Sequence, residues 1–377
     1  MSQIHSTIAC NLDADLLSAA YPLLAEEKVA ALEWSFDALY KVDQVPDWFR
    51  ELLGLYASAG RLIGHGVFFS LFSGRWSAAQ QEWLEDLRKV SREFQFDHIT
   101  EHFGFMTGRD FHQGAPMPVP YTRSTLALGQ DRLKRIQDAS GSAVGLENLA
   151  FSYSLDDVKR HGEFLEKLVE PVNGFIILDL HNFYCQSANF LLDDEELLAA
   201  YPLHLVREIH ISGGSWDTAL LHPARRIRRD THDDAVPRAV FDLLERVIDR
   251  CIHLKFVVME QLGTALGTAA RQEQFRQDYL EMDRIVSAKN PGRDAGSTNW
   301  FTPGLLTIPA IPVEDERLFR QQQILATILE TADSVNDAMQ RLSISELAES
   351  EWAVESWQPY MLETAMQIAR KWKDGFS

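Results

Sequence analysis

The chain has 377 residues, 46% of them hydrophobic, so it can bury one large core, and a single barrel with an added segment fits as well as two ordinary domains. Lys and Arg total 36 against 55 Asp and Glu, a formal charge of -19 that repels phosphate backbones and argues against nucleic acid as a partner. Cys10, Cys185 and Cys251 form no CxxC pair, residues 1–15 lack a basic region followed by an apolar stretch, and no apolar run reaches the ~20 residues of a spanning helix; a cytoplasmic protein with no membrane partner is expected.

In chain order, short apolar or β-branched runs alternate with longer amphipathic stretches. The runs cover residues 6–12, 31–36, 61–71, 98–106, 143–149, 174–182, 206–213 and 255–262. Helix-like segments follow at 13–29, 45–59, 77–94, 123–140, 155–169, 193–201, 237–252 and 268–287. This repeated β/α alternation predicts an α/β fold, a (β/α)8 TIM barrel, over residues 1–288. Residues 107–121, rich in Gly and Pro, read as a long loop at the mouth and a candidate lid. Residues 289–312 are loop-like, whereas 314–342 and 345–373 look helical, so 289–377 are expected to be a loop and a C-terminal helical appendage.

A barrel carries its active site at the C-terminal ends of its strands, where this chain places polar residues with regularity. His65 sits in IGHGVFF, His102 in ITEHFGFM, Glu147 and Asn148 in VGLENL, Asp179 and Asn182 in IILDLHNF, His210 in EIHISGG and Glu260 in FVVMEQLG. Asp230 and His232 follow the seventh strand in RRDTHDDAVP. Taken singly, each has a plainer reading as a hydrogen-bonded core residue or a structural ion pair. Together, acids and imidazoles at one rim repel or stay unsatisfied unless cations lie among them, so two or three transition-metal ions are expected. Imidazole and carboxylate without thiolate suit iron, manganese or catalytic zinc. His98 lies about 13 Å below His102 at about 3.3 Å per residue and is not expected to reach the rim. His181 shares the face of Asp179 while the pleat stays regular, so Asn182 joins Asp179 only where the strand bends or ends. His5, His112, His161, His204, His222 and His253 read as surface or loop residues, with His112 at the mouth, and the cysteines as small core residues.

The segments GHGVFFS, TEHFGFMTG, LENLAFSY, LDLHNFY, REIHISGG, DTHDDAVP and VVMEQ resemble, in order, the signatures of the multinuclear non-haem iron-dependent oxidases that modify ribosomally made peptides. The resemblance implies a barrel with two or three irons of mixed ferrous and ferric state, and dioxygen as co-substrate. It implies iron ligands at His65, His102, Glu147, Asp179, Asn182, His210, Asp230, His232 and Glu260, with Asn148 and His181 as candidates for contacting substrate. A cysteine of a precursor peptide would be modified, and a small leader-peptide-binding partner protein is implied. The 3-thiaglutamate biosynthesis member, which removes a β-carbon, is the preferred comparison. Two departures stand out: Gly214 occupies a place that is often histidine in E-I-H-x-A-G-H, and His181 a place that is asparagine in D-x-N-N. A trinuclear zinc phosphodiesterase like apurinic endonuclease IV, and a metal-dependent sugar isomerase, share the ligand types. Against the nuclease stand Asn182, where that family has histidine, and the lack of a basic charge excess.

Overall fold

The computed structural model describes residues 2–37, 45–108, 110, 113–220, 223–294 and 299–373. Its barrel strands are short and mostly buried on both faces, as parallel strands under helices must be. They are β1 (His5–Ala9), β2 (Ala31–Trp34), β3 (Leu62–Gly66), β4 (His98–His102), β5 (Ala143–Glu147), β6 (Phe175–Asp179), β7 (Val206–Ile211) and β8 (Phe256–Met259). Every pairing is parallel, and the ring closes in the order β1, β8, β7, β6, β5, β4, β3, β2. The connecting helices are α1 (Ala14–Ala25), α2 (Asp47–Ser58), α3 (Ala78–Glu93), α4 (Arg123–Ser140), α5 (Leu155–Val169), α6 (Leu180–Phe190), α7 (Arg238–Val247) and α8 (Ala269–Lys289). Side chains of Asp13, Ser77, Thr122, Ser154 and Thr268 cap their first turns, which sharpens each strand-to-helix exchange.

Two apolar layers follow from the pleat. Residues facing outward pack under the helices in one extended core, while Ala31, Ile63, Phe256 and Val258, and Ala143, Phe175 and Ile177, form separate clusters on the axis side. Counting by twos from these inward residues along each strand leads to Glu33, His65, Glu147, Asp179 and Glu260, so the site residues are set by the same alternation that fills the barrel.

Several element boundaries differ from expectation. The run at 174–182 splits: β6 stops at Asp179, whose carboxylate accepts from Asn182 N at 2.6 Å and caps α6, so Asn182 lies on a helix. The helix expected at 193–201 is a short one, Asp194–Leu198, and the helix that directly follows β6 is α6. The runs at 61–71 and 98–106 end as strands at Gly66 and His102, and Phe105–Met106 pairs with Pro116–Met117 inside the expected mouth loop. The expected helix 314–342 is two, Glu316–Thr331 and Val335–Ser343, because Ser334 caps a new start by accepting from Asp337 N. Within 345–373 the helix is Pro359–Lys371. His161 is not at the surface but buried in α5, where Leu149 N donates to its Nε2. His5 is not in a loop but begins β1. His112 and His222 lie outside the described residues.

Described residues after α8 touch first the barrel floor and then the mouth. Phe301 packs against Phe175, and Asn173 Nδ2 donates to the carbonyls of Trp300 and Thr302. Residues 309–315 then run beside α4, held by Arg135 donating to Pro309 O and Arg132 to Val313 O, both at 2.8 Å. The last helix, α11 (Pro359–Lys371), numbered after α9 (Glu316–Thr331) and α10 (Val335–Ser343), lies across loops at the C-terminal rim. Tyr153 and Trp357 stack at 3.7 Å, Gln358 N donates to Tyr153 O, Gly114 N to Trp372 O, and Leu220 N to the Glu363 carboxylate. No helix among the described residues is long and apolar enough to cross a membrane.

Candidate metal centre

Glu147, at the end of β5, is the hub of the rim. Its Oε2 lies 3.3 Å from His102 Nε2 and 3.7 Å from His65 Nε2, and its Oε1 accepts from Asn182 Nδ2 at 3.0 Å. Ligand atoms of His65, His102 and Glu147 lie within 4.8 Å of one another, as do those of Glu147, Asp179 and His210, and those of Glu33, His210 and Glu260. Glu260 extends the cluster: its Oε2 is 3.3 Å from His210 Nδ1 and 3.7 Å from His232 Nδ1, and His232 Nε2 is 3.0 Å from Asp230 Oδ1. All the ligands expected from the sequence therefore meet in one connected group, beneath a cavity of ≈ 360 Å³.

Fixed hydrogen bonds choose which nitrogen each imidazole offers. His102 Nδ1 donates to Gly66 O at 3.0 Å, leaving Nε2 toward Glu147. His65 Nδ1 donates to Thr100 Oγ1 at 2.8 Å, because that hydroxyl itself donates to Gly64 O. His210 Nε2 donates to Glu208 Oε1 at 2.7 Å, so Nδ1 faces Glu260. Holding the far nitrogen of a histidine in this way orients the near one for a metal.

The donor set fits cations. Glu147 Oε2, Asp179 Oδ2, Asn182 Oδ1 and His210 Nδ1 are buried without a hydrogen-bond partner among the described residues. Burial pushes Glu147 and Glu33 well above the usual carboxylate range, and burial together with the Asp230 charge pushes Asp179 up to about 7. Burial opposes a proton on His210, but the charges of Glu260 and Glu33 outweigh it and raise its pKa well above the ordinary value. Protons are thus called upon to offset crowded negative charge, a task that metal ions perform without consuming the donor atoms. His232 holds a left-handed backbone, φ 50°, a cost of about 1 kcal/mol or more that such loops accept at functional positions.

Asn148 clamps the end of β6: its Nδ2 donates to Asp179 O at 3.1 Å and its Oδ1 accepts from Asp179 N at 2.7 Å. His181 is fully buried behind the cluster. Its Nε2 accepts from Arg228 Nε at 3.0 Å, so its Nδ1 donates to Asp230 Oδ1 at 3.0 Å. Gly214 belongs to the same arrangement: a Cβ there would sit 2.2 Å from Arg229 O and 2.9 Å from the His181 ring, so no side chain fits at this place. His98 stays below the rim, as expected, yet touches the site indirectly, since its Nε2 meets Glu208 Oε2 at 2.5 Å while Glu208 Oε1 meets His210.

Sequence reasoning missed Glu33, Glu208, Arg228 and Lys371. Glu33 and Glu208 carry a legible signal, an acid at inward parity inside an apolar strand. Arg228 and Lys371 line the cavity from a hairpin and from α11, and only the tertiary fold brings them there.

A family model described as "RiPP precursor modification enzyme MbnB/TglH/ChrH" matches residues 40–262. A UPF0276 protein of Chromobacterium violaceum is 31% identical over 187 residues, 49% of this chain and 64% of the relative. Another, of Pasteurella multocida, is 25% identical over 243 residues, 59% of this chain and 75% of the relative. The chain thus spans 64% of the length of the first of these relatives, under two thirds. Among solved structures, a xylose isomerase domain protein from Planctomyces limnophilus is 14% identical, covers 77% of this chain and 98% of its own, and superposes with a TM-score of 0.48. An L-ribulose 3-epimerase is also 14% identical, covering 79% of this chain and 100% of its own at a TM-score of 0.46.

Proposed function

This chain belongs to the MbnB/TglH/ChrH family of RiPP precursor modification enzymes, and from that premise we propose that it is a multinuclear non-haem iron oxidase acting on a cysteine of a ribosomally made precursor peptide, with dioxygen as co-substrate. The observation that carries the reading is the convergence of four histidines with Glu147, Asp179, Asp230 and Glu260, among which Glu147 Oε2, Asp179 Oδ2 and His210 Nδ1 are buried without a hydrogen-bond partner among the described residues. His65, His102 and Glu147 would hold one ion. Glu147, Asp179, His210 and Glu260 would hold a second, and Asp230 and His232 a third. Iron, when bound, lowers the pKa of a coordinated thiol and supplies the redox equivalents for reducing dioxygen. Asn182, an uncharged amide among acids, limits the negative charge around the donors and fixes Glu147 by donating to it. Thr364, Ile368 and Lys371 of α11 line the cavity, where they would limit the water that reaches the donors.

Removal of the cysteine β-carbon, as in 3-thiaglutamate biosynthesis, is the outcome assigned by resemblance, together with a small partner protein that captures the leader peptide. The test is anaerobic iron loading followed by oxygen-uptake measurement with cysteine peptides. The proposal expects uptake that depends on both iron and the thiol. Hydrolysis of abasic DNA by the zinc form, with no uptake by the iron form, would overturn it.

A further inference from the structure

Arg228 is 5% exposed, lines the cavity and, among the described residues, has no carboxylate within ion-pair distance. In a chain whose net charge is -19 this is unusual, because acids are plentiful and a buried guanidinium without a counter-charge is costly. The neighbouring Arg229 shows the ordinary solution, with its Nη1 2.7 Å from both Asp217 Oδ2 and Gln367 Oε1.

Arg228 is also held in place. Asn189 of α6 takes its backbone in a two-way clamp, accepting from Arg228 N at 2.7 Å and donating to Arg228 O at 2.9 Å. Its guanidinium carbon lies 5.6 Å from the Tyr184 ring centre and 5.5 Å from that of Trp216, and its Nε is spent on His181. The terminal nitrogens, the pair suited to bidentate binding of a carboxylate, have no protein acceptor among the described residues. His181 in turn donates to Asp230, so the guanidinium stands one imidazole away from the candidate metal cluster. From α11, Lys371 adds a second cation to the same cavity wall, backed by the Trp372 ring at 4.5 Å and likewise without a carboxylate partner among the described residues.

We infer that Arg228, assisted by Lys371, forms a carboxylate-binding subsite, and that the substrate peptide presents a carboxylate beside its reacting cysteine. This rests on the cysteine-peptide reading above. The carboxylate has two possible sources, the peptide's own C-terminus or an Asp or Glu side chain, and both offer the same chemistry to the guanidinium.

Calorimetric binding to the anaerobically purified, iron-containing protein separates them. The probes are N-acetyl-Ala-Cys as free acid and as amide, N-acetyl-Cys-Asp-amide and its Asn counterpart, and each with Ser in place of Cys. One acid is expected to bind roughly ten- to hundredfold tighter than its uncharged partner. That gap should collapse in Arg228→Gln and shrink in Lys371→Gln, the latter at an exposed position where folding is not at stake. Acid and uncharged peptides binding alike to the wild type would overturn the subsite, as would a gap that survives both substitutions. Ser peptides binding as tightly as Cys peptides would count against the cysteine reading instead, while the acid comparison still decides the subsite.

Discussion

Glu208 acts on the site without touching the cavity, by accepting from His210 and meeting His98 on its other oxygen. Replacing it, Glu208→Gln, frees the His210 ring to turn. The expected result is metal affinity lowered roughly ten- to hundredfold, measured by chelator competition, with the fold retained. His161 makes a different residue-scale prediction. Burial lowers its pKa to about 3, so between pH 6.5 and 3 the unfolded chain binds a proton that the fold refuses. Its contribution is complete above pH 6.5 and is lost as the pH falls toward 3. Between pH 7 and pH 4.5 the wild type should therefore lose roughly 2–3 kcal/mol more stability than His161→Gln in urea melts. The candidate ligands were legible in the sequence because an acid or imidazole closing an apolar run is costly without a partner. His161 was not, since its pairing with Tyr121 and Leu149 crosses elements far apart in sequence.

At the scale of elements, the junction of β6 and α6 shows where pattern reading fails. FIILDLHNFY is apolar enough to pass for one long strand, and only the capping bond from Asn182 N to Asp179 divides it. The cap has a local signal, an Asp three residues before an Asn, but the apolar run masks it. That division moves Asn182 beside Glu147 and turns His181 toward Asp230 and against Gly214. The His181 ring and the Arg229 carbonyl are pressed against this glycine. Gly214→Ala is expected to destabilise the protein by about 1–3 kcal/mol, read from denaturant midpoints, since the 2.2 Å approach is to backbone and cannot swing aside.

For the whole molecule, the alternation of short apolar runs and helical segments was enough to give the barrel, because every barrel helix but α6 declares itself by local periodicity. The path of the last 89 residues, 289–377, was not legible, because contacts such as Phe301 on Phe175 at the floor and Trp357 on Tyr153 at the mouth have no local signature. The mouth contact anchors α11 over the cavity, so Trp357→Ala should cost about 3–5 kcal/mol and speed limited proteolysis around residues 354–373 while cleavage of the barrel helices stays slow. The central claim, that distant acids and imidazoles close around shared irons, is tested most directly by elemental analysis with Mössbauer spectroscopy of anaerobically purified protein. The account predicts two or three irons per chain, magnetically coupled and reduced in number by Glu147→Gln. Metal-free protein that takes up no iron, or iron content that Glu147→Gln leaves unchanged, would contradict it.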